Sequence, residues 1–503
     1  MEKTEILKIC MERGILLDRE AYEALSHLDF GEFNNILTKI SNLNQKFVTK
    51  AFLNEKIFQE KVEVKIGISL EISKYVDRNI KVIYSLANAT KKIEPDDFVK
   101  HFRNRYNEIK KILMERKELD NLSYINKISG EKQKLSIIGM VYSKRVTKNK
   151  NIFIEIEDST GRINVVVSKN KAEVYAKAKD VIMDDIIAIT GSGSSEIIYA
   201  NDIIYPDSFL HEKNYLGREE NVAFISDIHV GSKMFLRDNF QRFIHWINGE
   251  VGDEKQKEEA LKVKYLLVTG DTIDGVGVFP NQEELLELKD IKEQYKTLAY
   301  YLGQIRKDVK IILCPGQHDS VRIAEPQPAI GRDYAEPLYE LENLILVSNP
   351  AIIEIINEFG KKGIRFLMYH GASLIHYVNE IESLRMIKAH DTPSKVVREM
   401  LKRRHLATIH SSVTYIPTEA EDMLVIKEVP DVIVTADFHR ADIDLYNNIL
   451  IVCNSCWKST TPFEEKVGNH PDPCKVPLLN LKTREIKILD FTSKENNLEC
   501  SAK

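Results

Sequence analysis

Five short apolar segments between residues 221 and 437 each end in side chains that can bind a metal ion. The segments read VAFISD, KYLLVTGD, VKIILCPG, IRFLMYHG and DVIVTAD, and helical stretches separate them. Alternating strands and helices predict a layered α/β fold, in which ligand chemistry collects where the strands end. One Asp after a strand is ordinary turn chemistry, but five successive ends of this kind need another explanation. The possible ligands are Asp227, His229, Asp271, Gln317, His318, His370, Asp437 and His439.

The mixture of donor groups indicates which ions such a site would bind. Carboxylate, imidazole and amide donors suit Mn²⁺, Fe or Zn better than a thiolate site does, and Asp271 is placed to bridge two ions. Two ions about 3.5–4 Å apart can bind a phosphodiester, activate a water molecule and stabilise the charge of an in-line displacement. His318 is better suited to contact the scissile phosphate or to protonate the leaving oxygen, with Asp319 available to orient its ring.

The order of these motifs resembles that of a known family. The stretches SDIHVGS, GDTIDG, PGQHD, YHGAS and ADFHRAD look like the five motifs of calcineurin-like metallophosphoesterases, which read DxH, GDxxD, GNH[DE], H and GHxH. An OB-type segment precedes them, VFPNQ follows the second motif, and VRIAEPQPAI follows the third. In this wider arrangement, residues 130 to 490 resemble the small-subunit family of archaeal family D DNA polymerases.

The resemblance implies a fold, an activity and a set of partners. The fold would be a four-layer calcineurin-like sandwich of class α/β, preceded by a small all-β OB-type barrel and an N-terminal helical module. The activity would be 3′→5′ exonuclease proofreading with two divalent ions, Mn²⁺ or Mg²⁺ first and Fe or Zn as alternatives. The partners would be the large catalytic subunit, DNA with single-stranded or mismatched 3′ ends, and a sliding clamp. His318 takes the place of the catalytic histidine, and the metals fall to Asp227, His229, Asp271, Gln317, His370, Asp437 and His439.

Two residues depart from the family pattern. Gln317 stands where the family has Asn, and Asp437, preceded by Ala436, stands where the family has His preceded by Gly. Both replacements can still bind an ion, although the second pocket becomes richer in carboxylate and shifts toward Mn²⁺ or Mg²⁺. The alternative is a scaffold subunit with a weakened metal site and no significant nuclease activity. A phosphatase acting on proteins or small molecules is a third interpretation, which the OB-type segment disfavours.

The pattern along the chain predicts four regions. Apolar residues at three- and four-residue spacing predict a helical module first, and a polar, lysine-rich linker with one helix at DDFVKHFRNRYNEIKKILMERKEL follows it. Five short strands with turn signals then predict the barrel. The predicted regions are residues 1–52 for the helical module, 53–128 for the linker, 129–208 for the OB-type domain and 219–495 for the phosphoesterase domain.

Two basic clusters are candidate contacts for DNA. The chain as a whole carries 71 basic and 76 acidic residues, so any nucleic-acid contact must come from local patches. A loop of the predicted barrel could follow a phosphate backbone, although a charged hairpin tip explains the same residues equally well. The second cluster ends the helical stretch SKVVREMLKRRH. The candidate residues are Lys144, Arg145, Lys148, Lys150, Lys402, Arg403 and Arg404.

Cysteine usage and hydropathy favour a cytoplasmic protein with no membrane partner. The first residues, MEKTEILKIC, contain no apolar signal segment, and the longest apolar runs are far shorter than the roughly 20 residues of a membrane span. Six cysteines in 503 residues are too sparse for a disulfide framework.

Two other sets of residues compete for metal binding. The first is a zinc site, because CxxC followed by a spaced His and Cys has ligand-like spacing. Against it, Cys453 ends the apolar stretch NILIVC, where a small buried residue is expected anyway. The second set, His405 and His410, could replace His370, which is preferred because it directly follows an apolar strand. The residues of the zinc alternative are Cys453, Cys456, His470 and Cys474.

Overall fold

The computed structural model divides the chain into two compact units, residues 1–67 and 68–503. It describes residues 79–86, 92–357, 362–418, 421–467, 469–492 and 500–502, together with short stretches and single positions between residues 9 and 48. In the first unit, strand β1 (Leu16–Leu17) pairs in parallel with β2 (Phe47–Val48). The described positions between residues 21 and 40 are helical, and Ala21 and Phe33 are buried. The predicted helical module therefore also contains a short strand pair.

The predicted linker contributes a strand as well as a helix. Strand β3 (Ile80–Tyr84) pairs antiparallel with the strand Ala351–Ile355, so it extends a sheet of the later domain. Helix α1 (Pro95–Met114) matches the predicted helix and begins with a capping box between Glu94 and Asp97. Residues 53–78 of the predicted linker lie outside the described residues.

The predicted OB-type barrel is confirmed. Its elements are β4 (Gln133–Val146), β5 (Ile152–Asp158), β6 (Gly161–Val167), α2 (Ala172–Lys179), β7 (Ile186–Gly193) and β8 (Ile197–Ile204), preceded by a 3-10 turn (Ile125–Lys127). The five strands close in the order β4-β5-β6-β8-β7, and α2 lies between β6 and β7 along the chain. Gly139 allows two strands to approach, because a Cβ there would lie 2.4 Å from Ile156 Cγ2.

The remainder of the second unit alternates strands and helices as expected. Its strands are β9 (Asn221–Ile225), β10 (Val263–Thr269), β11 (Lys310–Cys314), β12 (Leu344–Leu346), β13 (Ala351–Ile355), β14 (Ile364–Met368), β15 (Val432–Thr435), β16 (Asp442–Tyr446), β17 (Ile449–Cys453), β18 (Lys475–Asn480), β19 (Ile486–Asp490) and β20 (Cys500–Ala502). Its helices are α3 (Arg237–Ile247), α4 (Glu254–Lys262), α5 (Ile291–Gly303), α6 (Arg332–Ala335), α7 (Leu374–Glu380), α8 (Glu382–Met386), α9 (Pro393–Arg403) and α10 (Pro462–Val467), with 3-10 turns at Gln282–Glu284, Glu336–Glu340 and Ala389–Asp391. Across the described part of the chain, no helix combines the length and apolar character that crossing a membrane requires.

Two sheets pack face to face between two layers of helices. One sheet has the strand order β12-β11-β10-β9-β18-β19-β20, and the other has the order β16-β17-β15-β14-β13-β3. Their inner faces share one buried core, in which Phe224 lies 6.2 Å from Phe366 between ring centres. Helices α3 to α5 cover the outer face of the first sheet, and α7 and α9 cover that of the second. The predicted four-layer sandwich is thereby confirmed, and β3 adds a strand to it from outside residues 219–495.

A buried carboxylate ties helix α1 to the two-sheet domain. Asp422 accepts hydrogen bonds from Arg105 Nε at 2.5 Å and from His405 Nε2 at 2.9 Å, and His101 Nε2 lies 3.4 Å away. Burial raises the pKa of the Asp422 carboxyl, but Arg105 and the two imidazoles outweigh burial and hold that pKa well below its usual range. Burial and the Arg105 charge lower the pKa of His405 to about 4. The cluster therefore depends on Arg105 as its permanent cation.

Replacing Arg105 with alanine should destabilise the protein. Removing one partner of a buried ion pair leaves the other charge uncompensated, which costs about 3–5 kcal/mol of unfolding free energy. Guanidinium unfolding of the variant measures this loss. Arg103 lies on the exposed side of the same helix, so Arg103→Ala is the matched control and should change the free energy by less than about 0.5 kcal/mol. Equal stability of the two variants would contradict the role assigned to the Asp422 cluster.

Candidate metal centre

The five predicted strand ends meet at one place between the two sheets. Strands β9, β10 and β11 are parallel neighbours in the first sheet, and β14 and β15 are parallel neighbours in the second. The loops that follow them are joined by backbone hydrogen bonds, since Asp227 N donates to Gly270 O and His229 N donates to Asp271 O. Ala436 N likewise donates to His370 O. The packing of the sheets thus brings all five motifs to a common rim.

The backbone is strained at the candidate ligands. Asp227, His229, Asp271, Asp437 and His439 all have left-handed φ angles, between 47° and 68°. This conformation costs an L-residue roughly 1–2 kcal/mol. Such strain persists only where the surrounding structure enforces it, and it collects at functional sites. The strand-end loops are therefore shaped to aim these five side chains.

Carboxylate and imidazole atoms of the rim lie within a few ångströms of one another. His439 Nε2 lies 3.3 Å from Asp227 Oδ1, and His370 Nε2 lies 3.3 Å from Asp271 Oδ2 and 3.8 Å from Asp437 Oδ1. Three groups of ligand atoms each fall within 4.8 Å. These groups are Asp227, His229 and His439; His229, Asp271 and His318; and Asp227, Asp271 and His370.

Each of the four histidines at the rim has its Nδ1 atom beside an oxygen of the protein. This arrangement fixes the ring and turns Nε2 toward the centre, as in histidines that bind metals. The oxygens are Asp274 Oδ1 for His229 at 3.0 Å, Asp274 O for His318 at 2.7 Å, Thr269 O for His370 at 3.0 Å and Glu464 Oε1 for His439 at 2.8 Å.

The two carboxylates beside these rings, those of Asp274 and Glu464, were not predicted from the sequence. Asp274 is the second aspartate of GDTIDG, so the family motif already contained the signal. Glu464 lies on α10 and gave no signal, because it is 25 residues from His439 and follows no strand. The His439 imidazole outweighs the effect of burial and lowers the pKa of Glu464 to about 2. Both carboxylates hold imidazole rings.

The donor atoms at this centre fit divalent cations. Asp227 Oδ1, His229 Nε2 and His370 Nε2 are buried and have no hydrogen-bond partner among the residues that the structure describes. Leaving such atoms unsatisfied costs about 1–3 kcal/mol each. The mixed carboxylate and imidazole set matches ions such as Mn²⁺, Fe or Zn. Divalent cations would satisfy these atoms and offset the crowded carboxylates.

The pKa values of the candidate ligands differ, so some of them are in the form that binds a metal at neutral pH and others are more easily protonated. Burial and the nearby Lys458 ammonium lower the pKa of His229 to about 4, so its ring is neutral near pH 7, as a metal ligand must be. Burial raises the pKa of the Asp271 carboxyl, but the imidazoles of His370 and His318 outweigh it and hold that pKa well below its usual range. Burial, with nearby carboxylates that include Asp271, raises the pKa of Asp437 to about 6. Among the candidate carboxylates Asp227, Asp271 and Asp437, Asp437 is therefore the one most easily protonated.

The structure corrects the role predicted for Asp319. Its carboxylate accepts hydrogen bonds from Thr272 Oγ1 at 2.5 Å and from Gly316 N at 2.9 Å, and burial raises its pKa to about 6. The ring of His318 is held by the carbonyl of Asp274 instead. Asp319 consequently positions the third-motif loop and does not orient the histidine.

Gln317 lies in the loop that follows β11. It is half-buried between Gly316 and His318, whose backbone N–H donates to Asp271 Oδ1 at 2.9 Å. Gly316 is required for this approach, because a Cβ there would lie 2.2 Å from Asp271 Oδ1 and 2.8 Å from His370 Nε2. The loop that carries Gln317 therefore packs directly on the ligands of the second and fourth motifs.

Neither His405 nor His410 is directed at the centre. His405 is bonded to Asp422, and His410 Nδ1 is bonded to the Tyr415 hydroxyl. Cys453 Sγ is buried and accepts a hydrogen bond from Thr435 Oγ1. In the described part of the chain, no group of His, Cys, Asp and Glu atoms that could hold an ion includes a cysteine.

The barrel loop is the more accessible of the two basic clusters. Arg145, Lys148 and Lys150 are exposed on the β4–β5 hairpin. Lys144 is half-buried, and its ammonium donates to the carbonyl of Lys179 at 2.7 Å, where it closes the end of α2. Three of the four barrel residues thus face solvent.

The second basic cluster is used inside the protein. Arg403 is 3% exposed and pairs with Asp185 of the barrel at 2.8 Å. Arg404 is 6% exposed and donates to the carbonyl of Lys427. Lys402 is half-buried, with its ammonium 4.4 Å from the centre of the Tyr205 ring. The prediction that Arg403 and Arg404 contact DNA is corrected, because the Arg403 guanidinium pairs with the barrel and the Arg404 guanidinium bonds within the helical insertion.

Comparison with known families matches both parts of the second unit. Residues 222–443 match the family model that describes the B-type subunits of DNA polymerases alpha and epsilon. Residues 135–195 match the model of an OB-fold nucleic acid binding domain. The two matches fall on the two-sheet domain and on the barrel.

Two curated relatives cover 97% and 78% of the chain. The DNA polymerase II small subunit of Methanothermobacter thermautotrophicus is 35% identical over 495 residues, which are 97% of this chain and 100% of the relative. The protein of that name from Pyrococcus furiosus is 38% identical over 397 residues, 78% of this chain and 63% of the relative. A solved archaeal phosphodiesterase is similar over 53% of this chain and 98% of its own, at 13% identity and a TM-score of 0.26. On the extent of the first similarity, the chain belongs to the family of archaeal DNA polymerase II small subunits.

Proposed function

We propose that this protein is a metal-dependent 3′→5′ exonuclease that removes mispaired ends from DNA. The observation that carries the proposal is the set of buried donor atoms at one rim, aimed inward and lacking partners among the described residues. Structural charge networks pair their atoms, as the Asp422 cluster does. The arrangement at the rim instead suits ligands that await cations.

The candidate ligands divide into two sets around a shared carboxylate. Asp227, His229 and His439 would hold one ion. His370 would hold the other together with Gln317 and Asp437, and Asp271 would serve both. Two bound divalent ions, with Mn²⁺ or Mg²⁺ expected before Fe or Zn, would bind a phosphodiester, activate a water molecule and stabilise the charge that develops. The remaining chemistry belongs to the side chains of this chain.

His318 is the residue proposed to transfer a proton. Its Nδ1 atom donates to the carbonyl of Asp274, so Nε2 is the nitrogen left to exchange a proton with the substrate. The side chain is 18% exposed, unlike the buried rings of His229 and His370, and Nε2 lies 3.9 Å from Asp271 Oδ2. Protonation of the leaving oxygen from this position would contribute general acid catalysis.

The barrel supplies a surface suited to single-stranded DNA. Arg145, Lys148 and Lys150 extend from its β4–β5 hairpin and could follow a phosphate backbone. The family membership also implies a large catalytic subunit as partner, and a sliding clamp is proposed as a further partner. In this proposal the large subunit catalyses polymerisation, and the centre of this chain removes mispaired nucleotides from the 3′ end.

A scaffold role without nuclease activity is the second candidate. The observations that favour it are Gln317 and Asp437, which stand where the family motifs have Asn and His. The raised pKa of Asp437 weakens that carboxylate as a ligand below about pH 6. Activity measurements on variants separate the two candidates.

Substitution of His318 should separate catalysis from metal binding. We expect His318→Ala to degrade a 3′-mismatched primer in Mn²⁺ about 10²–10⁴ times more slowly than the wild type, because a general acid is lost. Its affinity for Mn²⁺ should remain within a few fold. His211 is exposed, and His211→Ala is the matched control with unchanged rate. If the wild type and His318→Ala degraded the primer at the same rate, the exonuclease proposal would fail.

A methyl group at Gly316 should disorganise the centre. Gly316→Ala places a Cβ against Asp271 and His370, and misplacement of catalytic groups by about 1 Å can cost about 100-fold in rate. Primer degradation in Mn²⁺ and calorimetric Mn²⁺ titration measure the effect. A Cβ at Gly331 would meet nothing within 4 Å, so Gly331→Ala is the control. Wild-type behaviour of Gly316→Ala would show that the observed packing of the third motif is unimportant.

Neutralising Glu464 should weaken metal binding without unfolding the protein. Glu464→Gln keeps the shape of the side chain but removes the charge that orients His439, and loss of such a contact costs about 10- to 100-fold in metal affinity. Titration with Mn²⁺ measures the change, and circular dichroism checks the fold. The neighbouring Glu465 is exposed, so Glu465→Gln should bind Mn²⁺ as the wild type does. Equal affinity of the two variants would remove Glu464 from the centre.

A further inference from the structure

An exposed apolar loop lies directly beside the proposed active centre. It joins the second motif to the turn at Gln282, and every residue from 276 to 281 is exposed. Its apolar members are Val276, Val278 and Phe279, which are 41%, 37% and 39% exposed. None of the metal or proton-transfer roles proposed for this centre uses these side chains. A cluster of exposed apolar side chains at the edge of a site marks a binding surface.

Buried hydrogen bonds from two glutamine side chains fix the backbone of this loop. Gln282 is fully buried, and its side chain donates to Asp274 O at 2.7 Å and accepts from Val278 N at 2.9 Å. Gln294 bonds both the N–H and the carbonyl of Gly275, at 2.9 and 3.1 Å. The exposure of the apolar residues is therefore enforced by buried hydrogen bonds and does not come from a loose chain.

The same loop packs against the third-motif backbone. A Cβ at Gly275, where φ is 73°, would lie 2.5 Å from His318 O. The ring of Phe279 lies 6.3 Å from the ring of His318, centre to centre, at an angle of 63°. The ring of Phe279 is thus adjacent to the His318 side chain, which is proposed to act at the scissile phosphate. The distance between the two rings is within the span of one nucleotide.

We propose that Phe279 is a stacking platform for an unpaired base at the 3′ end of the DNA strand. This inference rests on the exonuclease function proposed above and names what that centre recognises. Every base offers a π-face, so the platform would act without sequence preference. A paired base must first leave its own stack, which costs least at a mismatched or single-stranded end. The platform would thereby favour the ends that proofreading must remove.

The kinetic test compares two oligonucleotides that differ only in the last base. One ends in an ordinary 3′ nucleotide and the other in an abasic 3′ residue with the same phosphodiester. We expect the full-length wild type in Mn²⁺ to cleave the first with a kcat/KM about 5- to 150-fold higher, as one base stack allows. In Phe279→Ala the ratio should fall to near one, and Phe279→Trp should retain it. Tyr300 is an aromatic residue that is 68% exposed on α5, and Tyr300→Ala is the control with the wild-type ratio.

A binding test without metal separates the platform from catalysis. With EDTA present, an oligonucleotide with a 3′-terminal 2-aminopurine should lose fluorescence on binding the wild type, because stacking quenches this base. Phe279→Ala should bind with less quenching. If this variant kept both the wild-type ratio and the wild-type quenching, the platform would be refuted. Unchanged DNA readouts with weaker binding of the large subunit would instead make Phe279 a protein contact, and would refute it too. If the wild type cleaved neither end yet quenched through Phe279, the exonuclease proposal would fail and the platform would stand.

Discussion

The face-to-face packing of the two sheets determines where every candidate ligand lies. Phe224 and Phe366 meet in the shared core, and the carboxyl ends of β9 to β11 then come opposite those of β14 and β15. A parallel strand can carry a ligand only at its end, because its middle is buried on both faces. Because the packing of the two sheets brings five strand ends to one rim, the donor atoms that follow these strands lie together in one site. Displacing one sheet along the other would separate the motifs without disturbing any single strand.

Burying the charged groups of this site away from water costs free energy, which the rest of the fold must offset. The aspartates and histidines of the rim satisfy each other only in part, and several donors have no partner among the described residues. Left-handed backbone angles at five ligands add strain. The hydrophobic cores on both sides of the sheets must offset these costs. By contrast, the Asp422 cluster and the Arg403–Asp185 pair are compensated charges, which identifies them as structural links.

The sequence predicted those parts of the fold and site that local patterns encode. Apolar runs ending in Asp or His identified the strand ends, and alternation identified the barrel. Long-range pairing was not visible: β3 joins β13 across roughly 270 residues, and Arg403 finds its carboxylate 218 residues away. Adjacency in sequence predicted that Asp319 orients His318, whereas His318 Nδ1 bonds to the backbone carbonyl of Asp274. Adjacency along a loop says little about direction, because side chains at successive positions of a tight turn point apart.

Asp437 shows how one departure from the motif changes the physical demands on the centre. A histidine there would bind an ion as a neutral ligand, but Asp437 adds a carboxylate within the field of Asp227 and Asp271, and with burial this raises its pKa to about 6. A bound cation would lower the pKa of Asp437 and keep these carboxylates ionised together below pH 6 as well. The second pocket therefore gains more from a bound divalent charge than a histidine-rich pocket would. Because hard ions such as Mn²⁺ and Mg²⁺ prefer oxygen donors, we expect this pocket to favour them over Zn²⁺.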